Sequence, residues 1–209
     1  MVRLFRSGAA LLGWFALGLQ YWLMMTGRTG PDPLHRTINF FSYFTILTNI
    51  LAGFAMTLPV VAPRSSPGAF FNRPTVRTAI VTYIIVVAVT YHLLLRQLAN
   101  LQGWDKIADT ALHYVLPLLF VLDWLLVVPK RSIPWKNVLT ALIVPLLYII
   151  WTLIHGTNTG FYPYPFLDVA KLGLEKVLIN AAGMAAGFAG LGVLLTAIGR
   201  VSGPRTAAA

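Results

Sequence analysis

Runs of about twenty residues with almost no charge recur along this chain, and they constrain its fold more than any other feature. A polypeptide crossing a ~30 Å hydrocarbon layer must satisfy every backbone N–H and C=O from within, so such a run reads as a membrane-spanning helix. The clearest run, Thr78 to Leu95, contains no Asp, Glu, Lys or Arg. Similar runs cover Ser7–Met25, Ile38–Val61, Val76–Leu95, Ile107–Val128, Val138–Ile154 and Leu174–Ile198. They are uniformly apolar rather than alternating, which excludes barrel strands. Composition agrees: 57% of the residues are hydrophobic and 11% charged, whereas a soluble domain carries about 25% charge. The expected fold class is all-α, a polytopic bundle of six transmembrane helices forming a single domain over residues 1–209. The first run follows Arg3 and Arg6 and looks like a signal sequence. Its far end, Leu-Met-Met-Thr-Gly, lacks a small-x-small cleavage site, so it is expected to stay as an anchor.

Basic residues orient the bundle. The N-terminus, second loop, fourth loop and C-terminal tail hold Arg3, Arg6, Arg64, Arg73, Arg77, Lys130, Arg131, Lys136, Arg200 and Arg205, with no acid among them. The opposite side holds Arg28, Arg36, Arg96, Lys106, Lys171 and Lys176 against Asp32, Asp105, Asp109, Asp168 and Glu175. Positive charge stays cytoplasmic, so both termini are placed inside. The net charge of +10 is thereby explained by topology and attraction to anionic membrane lipids, and no nucleic-acid partner is required. The loops are short, and Gly203–Ala209 reads as a frayed tail. Gly183, Gly187, Gly190 and Gly192 thin the sixth helix, for packing inside the bundle or for a homodimer.

Orientation turns scattered polar residues into a pattern. Asn39, Ser42, Thr45 and Asn49 fall within a sector of about 120° on the second helix. Such a stripe should face the bundle interior, as interhelical hydrogen bonds or as the wall of a wet cavity. Tyr91 and His92 lie at the outer end of the third helix, and Trp151 and His155 at that of the fifth. His113 lies about six residues, or ~9 Å, below the start of the fourth helix, the same depth as Thr45. With His35 in the first outer loop, all four histidines fall on or near the outer side. An imidazole at the depth of His113 suits a general base, a haem or metal ligand, or a neutral tie between helices.

Asp123 is the one acid expected deep in a span, ~15 Å beyond His113. It can pair with an inner-side Arg or Lys or belong to a proton path. Pro117 and Pro145 free carbonyls and should kink their helices. Gly160-Phe-Tyr-Pro-Tyr-Pro-Phe-Leu-Asp168 cannot be regular helix and reads as an outer lid. Zero cysteines exclude disulfides, thiolate metal sites and a cysteine nucleophile. No phosphate loop, His-Glu-x-x-His or Gly-x-Ser-x-Gly occurs, no two histidines share an i, i+3 or i, i+4 spacing, and neither a cofactor nor a metal is expected.

Three patches carry a resemblance: Asn39-Phe-Phe-Ser-Tyr-Phe-Thr-Ile-Leu-Thr-Asn-Ile-Leu-Ala-Gly53, His113-Tyr-Val-Leu-Pro-Leu-Leu-Phe-Val-Leu-Asp-Trp124 and Tyr162-Pro-Tyr-Pro-Phe-Leu-Asp168. They resemble the Pr6Pr family of bacterial six-span membrane proteins, which implies the inner (plasma) membrane. More distantly they resemble the androgen-induced and androgen-dependent membrane hydrolases, which cleave fatty acid esters of hydroxy fatty acids with an intramembrane threonine and a histidine. The resemblance implies Thr45 as nucleophile and His113 as base. Ser42, Asn49, Tyr91, His92, Tyr162, Tyr164 and Asp168 are then expected around a lipophilic ester, with Ser42, Asn49 or Tyr91 as donors to an oxyanion. Two departures stand out. The distant pattern has an acid three positions after the threonine, where this chain has Thr48, a substitute candidate for the nucleophile. Its histidine also stands one residue further from Val-Leu-Pro, about 100° of helix, a difference a local bulge would absorb. Beside the hydrolase stand two other readings: a non-catalytic carrier or binding protein for a small lipophilic ligand, and a haem or metal protein using His92 and His113.

Overall fold

The computed structural model describes residues 1–27, 32–98, 100–131 and 133–202. Arg28, Arg205 and the tail from Gly203 fall outside the described residues. Among these the chain is helical throughout, with no strand. Six helices are long and apolar enough to cross a membrane: Val2–Thr26, Phe44–Val61, Pro74–Leu95, Gly103–Val127, Asn137–Thr159 and Leu174–Val201. They are called the first to sixth spans below. Their exposed positions are apolar, among them Leu11, Phe15, Leu118, Leu126, Leu147, Ile150 and Ile179, as lipid contact requires. The chain is a multi-pass membrane protein.

Small residues let the first four spans close on one another. Ala9, Ala10, Ala52, Ala55, Ile80, Ile84, Phe120 and Trp124 form one buried cluster in their inner halves. At Gly53 an added Cβ would lie 3.1 Å from the Trp14 ring, so the first two spans meet at a position where a side chain would have to push that ring aside. Trp14 secures the contact by donating Nε1–H to Thr57 Oγ1 at 2.9 Å. Phe44, Tyr83, Tyr148, Val177 and Phe188 join the second and third spans to the fifth and sixth. Most of the glycine stripe does not pack inside the bundle. An added Cβ at Gly183, Gly187 or Gly190 would meet nothing, and only Gly192 of that set abuts another span, at Val138.

Inside the basic end, Asp123 is 1% exposed and binds two guanidiniums. Arg6 grips it with Nε–Oδ1 at 2.7 Å and Nη2–Oδ2 at 3.1 Å, and Arg77 donates Nη2–H to Oδ2. Arg77 also donates to the Ala55 carbonyl at 2.7 Å and lies over the Phe120 ring. Of the two roles open to Asp123, the structure displays the ion pair. Lys130 caps the fourth span, its ammonium donating to the carbonyls of Trp124 and Leu125 at 3.0 and 2.7 Å.

Two expectations about the spans are corrected. The run expected as one helix over Ile38–Val61 is two helices, Pro33–Phe41 and Phe44–Val61. Ser42 Oγ donates to the Ile38 carbonyl at 2.8 Å, and Tyr43 adopts an extended backbone with φ −83° and ψ 126°. Short polar side chains that bond back to the backbone compete with helix in this way. The fourth span begins at Gly103 rather than Ile107, which sets Asp109 in its second turn rather than among its first residues.

Candidate functional site

The outer ends of the third and fourth spans both leave α-helical winding. Tyr91–Leu95 and Ala111–Val115 are wound in π register, a rare geometry that recurs at functional sites. The second has a visible cause. Pro117 lacks an N–H, so the carbonyls before it lose a partner. Asn49 answers one of them, donating its amide to Leu112 O at 3.2 Å and to Thr45 O at 2.8 Å. Pro145 acts similarly in the fifth span, where the Ala141 carbonyl accepts the Tyr83 hydroxyl at 2.6 Å.

Between the first four spans and the lid lies a cavity of about 540 Å³. Its apolar wall includes Leu23, Met24, Phe40 and Leu112, and its polar wall includes Thr45, Tyr91, Asp109 and His113. Gln20, Arg96 and Asp105 also line it, with Pro163, Tyr164 and Pro165 from the lid. The structure thus brings Thr45 and His113 to one cavity. They make no hydrogen bond with each other: Thr45 Oγ1 pairs with the Tyr164 hydroxyl at 3.2 Å.

The break at Ser42–Tyr43 makes Thr45 the second residue of its helix. Its backbone N–H therefore has no helical acceptor and instead donates to Tyr164 Oη at 3.2 Å. Burial pushes the Tyr164 phenol up to about 12, so it stays neutral. A nearly wholly apolar recess of about 40 Å³, lined by Phe44, Val87, Tyr148, Met184 and Phe188, lies against the same two residues. Thr45 and Tyr164 are in both walls.

His113 is held on three sides. Its Nδ1 lies 3.0 Å from the Asp109 carbonyl oxygen and 3.0 Å from Asp109 Oδ1. Its ring stacks on Tyr91, with centroids 3.8 Å apart and planes 16° apart. Tyr91 in turn donates its hydroxyl to Asp109 Oδ2 at 2.5 Å. Asp109 was missed from sequence, although its spacing of four from His113 puts both on one helix face. Tyr43, whose ring meets Tyr164 and the lid's Phe161, was missed too.

The other expected site residues lie elsewhere. Asn49 faces the π segment as described, its amide nitrogen bonded to the carbonyls of Thr45 and Leu112. Ser42 is fully buried and knots the second helix pair to the fifth span: its Oγ accepts Trp151 Nε1–H at 3.0 Å, and its carbonyl accepts the Tyr148 hydroxyl at 3.0 Å. His92 is exposed, 3.2 Å from the Tyr114 hydroxyl. Thr48 donates to the Thr45 carbonyl and is fully buried outside the cavity wall. Tyr162 packs against Gly156, where an added Cβ would stand 2.1 Å from its ring. Asp168 caps the short helix Val169–Leu172 and pairs with Lys171 at 3.3 Å.

The histidines do not gather. His35 pairs with Asp32, and His155 Nε2 lies 2.9 Å from Asn39 Oδ1. Among the described residues no three His, Cys, Asp or Glu side chains come together as a metal would need. No family model, curated protein or solved structure matches this chain.

Proposed function

We propose that this protein hydrolyses lipid esters in the bacterial inner membrane, with Thr45 as nucleophile and His113 as general base. The observation that carries the reading is that Thr45 and an acid-paired His113 line one cavity at the outer end. The resemblance of three sequence patches to threonine-dependent membrane ester hydrolases points the same way.

The chemistry follows from the residue types. A threonine hydroxyl attacks an ester carbonyl only if a base takes its proton as the bond forms. His113 Nε2 takes that proton when the Tyr164 hydroxyl releases Thr45 Oγ1. The tetrahedral oxyanion collapses, the ester C–O bond breaks, and His113 returns the proton to the leaving alcohol. Water then attacks the acyl-threonine, giving its proton to His113, and the carboxylic acid departs with Thr45 restored. The Thr45 N–H, which donates to Tyr164 Oη at rest, becomes a donor for the oxyanion once that hydroxyl has withdrawn.

The test is hydrolysis of a panel of lipid and chromogenic esters by detergent-purified protein. Thr45→Ala and His113→Ala are expected to abolish turnover while remaining folded and monodisperse. Turnover that survives either substitution overturns the assignment. A folded wild type that binds a lipophilic ester saturably and converts none of it makes the protein a carrier instead.

A further inference from the structure

The geometry assigns Asp109 a role of its own: it is the positioning residue that holds His113 with its proton on Nδ1 and its lone pair on Nε2. This rests on the hydrolase reading for its catalytic meaning and on the side chains alone for its physical basis.

The argument begins with acceptors. The Asp109 carbonyl oxygen and Asp109 Oδ1 both stand 3.0 Å from His113 Nδ1. A carbonyl and a carboxylate can only accept here, so Nδ1 must donate. A neutral imidazole carries one N–H, which leaves Nε2 as the basic nitrogen, and no protein group among the described residues bonds to it. His113 is thereby presented to the cavity in the state a general base needs.

The carboxylate is itself held. Oδ1 stands 3.0 Å from His113 Nδ1, whose hydrogen bond goes to the backbone carbonyl of Asp109 itself, and Oδ2 accepts the Tyr91 hydroxyl at 2.5 Å. The side chains of Asp109 and His113 are each 14% exposed, so water does not compete strongly for the pair. Tyr91 closes the arrangement, stacking its ring on the imidazole it helps to orient. Three side chains from two helices therefore define one imidazole orientation. The two π segments, Tyr91–Leu95 and Ala111–Val115, supply the helix phases that let them meet.

Acid-to-amide substitution tests this. The backbone carbonyl at 109 still accepts from Nδ1 in this variant, but an asparagine side chain can donate toward Nδ1 and so opposes that bond, moving imidazole population toward the tautomer with Nε2 protonated and unable to act as a base. Asp109→Asn is expected to lower kcat by up to about 10⁴-fold, the loss seen when the orienting acid of a triad is neutralised, with KM nearly unchanged. Tyr91→Phe, which keeps the acid and the stacking, is expected to cost less.

A second readout does not depend on turnover. In protein labelled with ¹⁵N-histidine, at the pH of the turnover assay, His113 should show Nδ1–H in the wild type. That signature should be lost in Asp109→Asn. If the wild type turns over esters while Asp109→Asn keeps both its kcat and the Nδ1–H signature, the role of Asp109 is overturned and the hydrolase stands. If no ester is turned over but the signature switches with the substitution, the positioning stands and the hydrolase falls.

Discussion

A buried backbone N–H at the start of a helix needs an acceptor, and at Thr45 that acceptor is the Tyr164 hydroxyl. Tyr164→Phe removes it and strands the donor, for an expected loss of about 1–3 kcal/mol, read as a lower thermal midpoint in detergent. The same phenol sets a pH dependence. Its value rises from an ordinary ~10 to about 12 on folding, so the stability linked to its neutral form is complete below pH ~10 and lost as pH climbs through 12. Wild-type stability should fall over that window, and the Tyr164→Phe variant should lack this component. Asp123 lies at the other end of the molecule. Asp123→Ala leaves the Arg6 and Arg77 guanidiniums buried without a counter-ion, an expected cost of about 3–5 kcal/mol in denaturation measured in mixed micelles. The pairing of Asp123 was legible in sequence, because a lone acid in the inner half of a basic-ended bundle has few other partners. The role of Asp109 was not, because at the very start of the expected run Ile107–Val128 it reads as one more charge of the outer side. The helix that carries it opens with Gly103, Trp104, Asp105 and Lys106, too polar a turn for hydropathy to include.

Helices in lipid satisfy their own backbones, so each departure from regular winding marks a place where something else does. Pro117 and Pro145 signalled such places from sequence, and the partners Asn49 and Tyr83 supply the missing bonds. The split of the second run at Ser42–Tyr43 was not legible, since every residue from Ile38 to Val61 fits a membrane helix by polarity alone. That split displaces Asn39 and Ser42 from the stripe expected on a continuous helix. It also explains why Thr45 reaches the cavity and Ser42 does not. The lid was expected as a unit, but its anchoring depends on a residue outside it. Gly156 leaves the space that the Tyr162 ring fills, so Gly156→Ala should unseat the lid without disturbing the spans. Limited proteolysis between Gly160 and Asp168 should then cut the variant faster than the wild type; equal rates would show that the ring is not what holds the segment down.

Six spans place both ends of the chain on one side of the membrane, and the charge asymmetry assigns that side to the cytoplasm. The number of spans was legible, because it depends on length and hydropathy rather than on packing; the side on which the ends lie is an expectation from charge. A chain without cysteine makes it directly measurable. A membrane-impermeant maleimide applied to intact protoplasts should label Gln102→Cys and leave Arg64→Cys unlabelled; the reverse would invert the topology and move the cavity to the cytoplasmic face. How the spans pack was less legible, since a uniformly apolar helix does not announce which side meets protein and which meets lipid. The ion-paired trio at the basic end also orders the making of the molecule. Synthesis runs from residue 1, so Arg6 and Arg77 both enter the bilayer before Asp123 exists. The counter-ion of both guanidiniums is therefore the last of the trio to be made, and only with the fourth span in place does one side chain tie the first, third and fourth spans together.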